Sequence, residues 1–574
     1  MKSSKTGIEI FILGIAIAST AFTASKAYGG KIIYPWNATS RIVKSGGEFP
    51  VGYAGATGET ISSATLVGPY NEVDLSVKSV NTGVVAYDDQ TGAATSHEII
   101  LAVPLDAPIE MYNLVLHTST GNYTSVKSVK VIKNFKTRYY LAHITDVHIG
   151  GAQVWDASTA REMQYFHHIL KEMEIIMPEM IVFSGDNVQN NTAKPLAMKW
   201  ENFYNGSGGF LGIHGISVPT IVSTGNHDLD VAIHASSEWN KYSGMRVFGH
   251  AYGNTRFLVF DDFLADFDTL PTDFPVKQGI RLKAFLAKEG TGTLRIGVEH
   301  TVTLLDESFY TAQNIQFGLY GHAHQNFKTA LSSGEGWTTG SAAHYSYVGV
   351  PNIGWFRLMI VDGDSVVSNE TLQFGNTNAL SEDLRLTFAN PNDGKANTNV
   401  ATLANDMRVG FESCRIRFVM AKGAYTVHGG TMEQTIDNDT VTVIDVRVKV
   451  ATKAQAKVTL TPVSISLHKK NSLPGIDSRF TVHPASLDGN VAVEFNLPEA
   501  AHIRCEILDL LGHRQAMLAD EVSGKGRHEM VWNGKDFRNR PVLGAVFIAR
   551  LEVAPLVARG KPALFQARVD LSGF

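Results

Sequence analysis

The sequence predicts a multidomain protein in which one α/β domain is flanked by small β-sandwich modules. Three observations carry that expectation. The chain has 574 residues, far more than one hydrophobic core normally supports. Short β-type runs broken by Gly, Asn and Pro occupy both ends of the chain. Between them, apolar strand-like runs alternate with a helical pattern.

Composition narrows the class. A hydrophobic fraction of 44%, a charged fraction of 18% and 52 glycines describe folded material rich in turns, neither disordered nor collagenous. Net charge is −5 with Lys and Arg thinly spread. No basic stripe is visible, so polymeric nucleic acid is not an expected partner. Of the two cysteines, Cys414 and Cys505, each falls in a different expected domain, which excludes a disulfide framework and predicts two separate buried thiols.

The N-terminus has a targeting pattern. Lys2 and Lys5 precede an apolar run from Ile10 to Ala18, and small residues end at Ser25-Lys26-Ala27. The run is shorter than the roughly 20 residues a spanning helix needs, so residues 1–27 read as a cleaved signal peptide. A secreted, periplasmic or cell-surface location follows as the expectation.

Residues 31–136 contain runs such as Val73-Asp74-Leu75-Ser76-Val77 and Asn113-Leu114-Val115-Leu116-His117 and predict the first sandwich. The stretch from Pro104 to Val131, with Tyr112 entering a strand, resembles the last strands of an Ig or fibronectin type III module. Residues 137–375 carry strand-like runs at Tyr139 to Ile144, Met180 to Phe183, Thr220 to Ser223, Phe257 to Phe260, Leu294 to Val298 and Gln316 to Tyr320. Met163, Phe166, Leu170, Met173 and Met177 are spaced three or four apart, predicting an amphipathic helix on the sheet. Asparagines at 376, 378, 390, 392 and 397 mark 376–400 as a linker. A β-rich unit over 401–468 and a final β-rich unit over 471–574 follow. The last contains Val493-Glu494-Phe495-Asn496-Leu497-Pro498, Ile507-Leu508-Asp509-Leu510-Leu511-Gly512 and Trp532-Asn533-Gly534-Lys535-Asp536. It resembles the Ig-like domain of flagellar hook-capping proteins and of type IX secretion sorting domains, which implies contact with a cell surface or secretion machinery.

Five short elements of the central domain each sit where a predicted strand ends. They are Asp146-Val147-His148, Gly185-Asp186-Asn187, Gly225-Asn226-His227-Asp228, His300 and Gly321-His322-Ala323-His324. Strand ends are where α/β folds present side chains together. The set offers carboxylate, imidazole and amide donors without thiolate, which suits Mn, Fe, Zn or Co. Asp146, His148, Asp186, Asn226, His300, His322 and His324 are too many for one catalytic ion that keeps an open position. Two divalent ions sharing Asp186 are therefore expected, the arrangement that activates a bridging water and hydrolyses a phosphate ester.

These elements, in this order, resemble the calcineurin-like metallophosphoesterase superfamily over residues 138–372. The resemblance implies an αββα layered sandwich. It places Asp146, His148, Asp186 and His324 at a first metal and Asp186, Asn226, His300 and His322 at a second. It also makes His227 the histidine that contacts the substrate phosphate and protonates the leaving oxygen, with Asp228 orienting its ring. Purple acid phosphatases have a tyrosine three residues after the bridging aspartate; here that residue is Gln189. The Gly-Asn-His-Asp form and the missing tyrosine favour a phosphodiesterase with two divalent ions. His300 is followed by Thr301-Val302 where many relatives have a proline, and it is the ligand least supported by local pattern.

His143, His167, His234 and His250 read as surface or packing residues. Glu299, next to His300, is expected on the opposite face of its strand. The expected function is thus an exported, dinuclear metal-dependent phosphoesterase acting on a phosphate-ester substrate, phosphodiester favoured. The alternatives are a phosphomonoesterase of the same superfamily and a surface adhesive or scaffolding protein with a vestigial hydrolase domain. The loops from Gln189 to Gly215 and from His234 to Asn254 are expected to set specificity.

Overall fold

A computed structural model describes residues 32–83, 95–150, 157–190, 196–228, 237–262, 274–302, 307–344, 353–373, 383–462, 467–469, 480–484, 490–509, 513–536, 540, 542, 546–556 and 563–570. The expected signal peptide lies outside them. Among the described residues no helix is long and apolar enough to cross a membrane. The chain divides into two compact units, one of residues 1–422 with 428–459 and one of 423–427 with 460–574.

The first unit opens with eight strands: Ile32–Tyr34 (β1), Arg41–Lys44 (β2), Glu48–Tyr53 (β3), Ile61–Val67 (β4), Glu72–Thr82 (β5), His97–Ala102 (β6), Met111–Thr118 (β7) and Gly121–Ile132 (β8). They form one sheet in the order β1-β3-β6-β5-β4-β7-β8-β2. Long β5 pairs with β4 at its start and with β6 from Ser76 onward. One strand thus serves both halves of the sheet, and a single cluster that includes Phe49, Val51, Leu66, Leu101, Tyr112 and Leu114 fills the space they enclose. The run Val73-Asp74-Leu75-Ser76 read from the sequence alternates in burial within β5, with Val73 and Leu75 buried and Asp74 and Ser76 exposed.

The central region carries Arg138–Ile144 (β9), Met180–Ser184 (β10), Thr220–Ser223 (β11), Phe248–Tyr252 (β12), Thr255–Val259 (β13), Leu294–Val298 (β14), Phe317–Tyr320 (β15), Phe327–Leu331 (β16), Gly334–Thr338 (β17), Trp355–Asp362 (β18) and Ser365–Gln373 (β19). All six strand runs expected here are strands. They build two sheets, β11-β10-β9-β18-β19 and β12-β13-β14-β15-β17-β16. β9, β10 and β11 are parallel, as are β13, β14, β15 and β17. Strands covered on both faces are mostly apolar, and every residue of β10, β11 and β13 is buried, Arg256 and Thr255 of β13 included. Leu141, Val182, Ile221 and Met359 of one sheet meet Phe257, Ile296, Val298 and Leu319 of the other in one cluster. The expected helix is Ala157–Ile176, and its Phe166 stacks on Phe203 and meets Phe183 of β10. On the second sheet Leu282 and Leu286 of helix Phe274–Glu289 cluster with Leu258 and Phe260.

The eight-stranded sheet is not separated from this region by a loose joint. Trp36, Ile42 and Ile132 belong to the cluster between the two central sheets, with the Trp36 ring 4.8 Å from Phe248. Ser40 N–H donates to Thr220 O at 3.2 Å, and the buried Lys130 donates to Ser217 O at 2.9 Å.

The stretch expected to be a linker, 376–400, is corrected in its described part. Leu384–Phe388 is a strand paired with Asn399–Asn405. Its asparagines act as turn chemistry: Asn399 accepts from Asn390 N, and Asn392 clamps the strand Phe411–Ala421 through Arg417 O and Val419 N. Asparagine-rich composition signals side chains that replace backbone partners, which orders a segment as readily as it interrupts one. Phe411–Ala421, Val441–Val450 and Thr431–Asp437 form a further sheet.

That sheet meets the first one through buried charge. Arg417 donates to Glu110 at 2.7 Å and to both oxygens of Asp445 at 2.8 Å. Gln434 donates to Asp445 and makes two hydrogen bonds with the backbone of Ile109. Burial works to raise Glu110, yet Arg417 and Lys130 hold its carboxyl below the usual value. Asp445 is likewise held low against burial by Arg417.

In the second unit, Leu467–Lys469, Val546–Pro555, Ala563–Asp570, Ala501–Leu508 and Arg514–Ser523 form one sheet and Thr481–Pro484, Val491–Leu497 and Gly526–Trp532 another. Val493, Phe495, Ile503, Cys505, Trp532 and Phe547 share its core. The Trp532 indole N–H donates to Lys535 O across a turn in which Gly534 has φ of 69°. Leu510-Leu511-Gly512 lie outside the described residues. Cys414 and Cys505 are both free and buried.

Replacing Arg417 by Met removes the guanidinium that faces two buried carboxylates and leaves only the weaker influence of neighbouring cations such as Lys130, so the expected loss is about 3–5 kcal/mol in chemical unfolding of the full chain. Both carboxyls are lowered, so they add stability above their unfolded values near ~4 and lose it as pH falls below. The acid limb of the stability profile should therefore shrink in the variant. A loss below about 1 kcal/mol with an unchanged acid limb would show that this joint does not depend on the charge.

Candidate metal centre

The five motifs converge because the two sheets face each other with parallel strands ending on the same side. Asp146 and His148 follow β9, Asp186 follows β10, Asn226 and His227 follow β11, His300 follows β14, and His322 and His324 follow β15. The loops after β9 and β10 continue the ladder beyond the strands, with Asp146 N on Gly185 O, His148 N on Asp186 O and Ile149 N on Asn187 O. Their carboxylates are then tied to the other loops. Asp186 Oδ1 accepts from His227 N at 2.8 Å and Asp146 Oδ2 from His322 N at 3.0 Å.

Ten non-glycine residues among those described have positive φ, and five are Asp146, His148, Asp186, His322 and His324. Left-handed backbone costs about 1 kcal/mol or more at such residues and persists only where the surroundings over-determine it. Gly321 answers to close approach instead, since a Cβ there would lie 2.6 Å from Asp146 Oδ2 and 2.0 Å from Thr145 Oγ1.

Every metal-ligand candidate is brought into one cluster. His148 Nε2 is 3.4 Å from Asp186 and 3.6 Å from Asp146. His324 Nε2 is 3.1 Å from Asp146 and 3.2 Å from His148 Nε2. His300 Nε2 is 3.0 Å from Asp186 and 3.9 Å from Asp146, while its Nδ1 lies 2.8 Å from Ser184 O. His322 Nδ1 is 3.2 Å from Asn226 Oδ1. The side chains of Asp146, His148, Asp186 and His300 are at most 1% exposed. His322 is exposed and Asn226 and His227 are half-buried, so the cluster opens on that side.

The electrostatics follow from burying carboxylates among imidazoles. Burial opposes ionisation of Asp146, but His148 and His324 hold it well below the usual range. Burial would lower His300, yet Asp186 raises it to about 10. His227 is pulled down to about 4 by burial. Two buried carboxylates facing several imidazole nitrogens at 3–4 Å, with an amide and no thiolate, are a donor set that fits borderline divalent cations.

Asp228 departs from expectation. It makes no contact with the His227 ring; Asn187 N, Val188 N, Gly225 N and Asn187 Nδ2 occupy its two oxygens at 2.8–3.0 Å. Burial, then the charge of Asp186, push its carboxyl up to about 8, while four donors and no acceptor favour the ionised form. Its role in this geometry is to pin the Asp186 loop to the Asn226 loop. The His227 ring is held instead at Nδ1 by Gln189, at 2.9 Å, and Asn190, at 2.8 Å.

Sequence reasoning missed His344. Its ring lies on His148 with centroids 3.8 Å apart and planes 25° apart, and it meets His324 edge-on at 5.2 Å. It groups with His148 and His324 as a set of candidate ligand atoms within 4.8 Å. Imidazole lone pairs lie in the ring plane, so two nearly parallel stacked rings do not converge on one ion, and His344 is better placed to buttress His148. Only its neighbours in space single it out; Ser341 and Ala343, which bind Asp146 O, bring it there. His143 is, of the two readings, the packing residue: it is buried and both ring nitrogens are bonded, to Ser184 and Thr339. Glu299 is buried against Tyr310 and contributes nothing to the cluster.

Among curated proteins none matches the chain. Solved structures similar to part of it include a conserved protein of Streptococcus pneumoniae described as a predicted phosphoesterase, at 12% identity over 41% of this chain and 90% of that one, TM-score 0.21. Others are the inner-membrane-complex anchor of Plasmodium, at 11% over 43% and 92%, TM-score 0.27, and the phosphopantetheinyl hydrolase of Mycobacterium tuberculosis, at 11% over 37% and 93%, TM-score 0.21. Residues 139–326, which contain every candidate residue from Asp146 to His324, match the family model of the calcineurin-like phosphoesterases.

Proposed function

We propose that the central region is a metal-dependent hydrolase of phosphate esters, with a four-layer sandwich holding two divalent ions between its sheets. The observation that carries this reading is the buried convergence of Asp146, His148, Asp186, His300 and His324 beside Asn226 and His322. Asp146, His148, Asp186 and His324 would hold one ion, and Asp186, Asn226, His300 and His322 the other. Bound ions of this class supply water activation and neutralise phosphoryl charge.

The chain's own residues do the rest. The backbone amides of His227 and His322 fix the carboxylates, so the donor set is rigid before substrate arrives. The open side over Asn226, His227 and His322 receives the phosphate. His227 Nε2 serves the leaving oxygen as it takes on charge. A phosphodiester is the favoured substrate, because the loop lacks the purple-enzyme tyrosine and carries Gly-Asn-His-Asp. Export by the N-terminal segment and surface contact through the C-terminal unit complete the reading, supported by the residue patterns alone.

The direct test is hydrolysis of bis-p-nitrophenyl phosphate, p-nitrophenyl phosphate and cyclic nucleotides by the full chain, with Mn added or chelated. Activity on none of them in the metal-loaded protein sinks the proposal.

Asp186→Asn removes a buried charge that both ions would share, so metal content by elemental analysis should fall below two per chain, and turnover with it. Two tightly bound ions and near-normal turnover would refute the bridge.

His227→Gln separates holding metal from serving substrate. Ion content should be unchanged while turnover falls on the order of 10² to 10⁴, the usual worth of a positioned group at the leaving atom. Alkyl esters should suffer more than p-nitrophenyl esters, whose leaving group departs as a stable anion. Loss of an ion would make His227 a ligand.

A further inference from the structure

The first sheet, the central region and the sheet containing Phe411–Ala421 enclose a cavity of about 290 Å³ where they meet. Ile109, Ile132, Met177, Pro178 and Pro219 make part of its wall apolar. The charged part is uneven. Five cations, Lys130, Lys133, Lys136, Arg415 and Arg447, line it together with three carboxylates, Glu179, Glu433 and Asp445.

Those carboxylates are already engaged. Glu179 accepts from Lys136 and Tyr252, Glu433 from Arg447, and Asp445 from Arg417 and Gln434. Arg415 pairs with Glu174. Two ammoniums remain without an ion pair among the described residues. Lys133 is exposed. Lys130 is 4% exposed, and its ammonium makes one hydrogen bond among the described residues, to Ser217 O at 2.9 Å. A buried ammonium has three N–H groups to satisfy, and a carbonyl brings no counter-charge. Glu110 supports the charged form, yet burial, helped by Arg415 and Arg417, pulls Lys130 down to about 8. Water fills polar cavities, but it supplies no negative charge and finds no partners along the apolar wall.

We propose that this cavity binds a small organic anion, with its acidic group on the Lys130 ammonium and within the field of Lys133, and its apolar portion against Ile109, Ile132 and Pro219. The volume is at the lower end of ligand pockets, which run from roughly 300 to 1,000 Å³. The ligand is therefore of the size of a short-chain carboxylic acid or alkyl phosphate. The site is separate from the metal centre. Its residues Glu179 and Pro219 precede β10 and β11, whereas Asp186 and Asn226 follow them, and the five residues of β10 alone span about 16 Å. Binding here does not depend on the phosphoesterase reading.

Calorimetric titration of the full chain with hexanoate, hexyl phosphate and hexanol tests the site. Saturable one-to-one binding of hexanoate or hexyl phosphate is expected, with Kd of about 1 mM or tighter, and hexanol should bind at least roughly tenfold more weakly. The tighter of the two anions identifies the acidic group. Lys130→Met keeps the length of the side chain and removes its charge, so affinity for the anion should fall by roughly tenfold or more. Lys133→Glu, at an exposed position where folding is not at stake, reverses a charge at the cavity and should weaken binding by about threefold. Lack of saturable binding by either anion overturns the proposal, as does equal affinity for hexanol. Anion binding undiminished in Lys133→Glu and in folded Lys130→Met lies elsewhere on the protein and overturns it as well.

Discussion

Asp146 and Asp186 are two carboxylates buried side by side, and much of the central region is arranged to make that tolerable. A carboxylate in a low-dielectric interior costs several kcal/mol unless opposite charge or donors offset it. Here the offsets come from four strand ends: imidazoles of His148, His300 and His324, and the backbone amides of His227 and His322. No single loop could supply them. The requirement explains why two parallel strand sets face each other, and why five of the residues involved accept a left-handed backbone.

A ring of surrounding residues holds this cluster in register. Asp228 binds four N–H groups from two loops, Ser184 O receives His300 Nδ1, and His344 covers the face of His148. Gln189 and Asn190 reach His227 from the loop that also carries Asp186. Metal sites depend on such partners because they set ring orientation and tautomer. The His227 ring is therefore held by side-chain amides rather than by a carboxylate.

The surrounding β-structure of the first unit is integral to the central region. Trp36 enters the core between the two central sheets, and Arg417 ties Glu110 of the first sheet to Asp445 of another. Lys130 extends that network to Ser217, and Arg415 to Glu174 of the central helix. These joints are buried and charged, which makes them specific in geometry and costly to break.

The strands of the central region were legible because buried parallel strands are short, mostly apolar runs, and Thr220–Ser223 and Leu294–Val298 fall where the runs do. The ligand candidates were legible because each is a short motif at a strand end, a pattern that survives in one dimension. The segment around Asn390 and Asn399 misled, since asparagine content cannot say whether an amide faces solvent or a neighbouring backbone. Asp228 misled for a related reason: adjacency in sequence to His227 suggested a partner, but consecutive residues on a tight loop project differently, and Asp228 turns to the amides of 187, 188 and 225. His344 and the amide of Gln189 acquire meaning only through contacts 196 and 38 residues away, with His148 and His227. By itself the sequence determined which side chains could bind metal and which runs would be strands, because both depend on residue type and local period. Tertiary structure alone decided which groups orient them, because hydrogen-bond geometry between distant loops has no local signature.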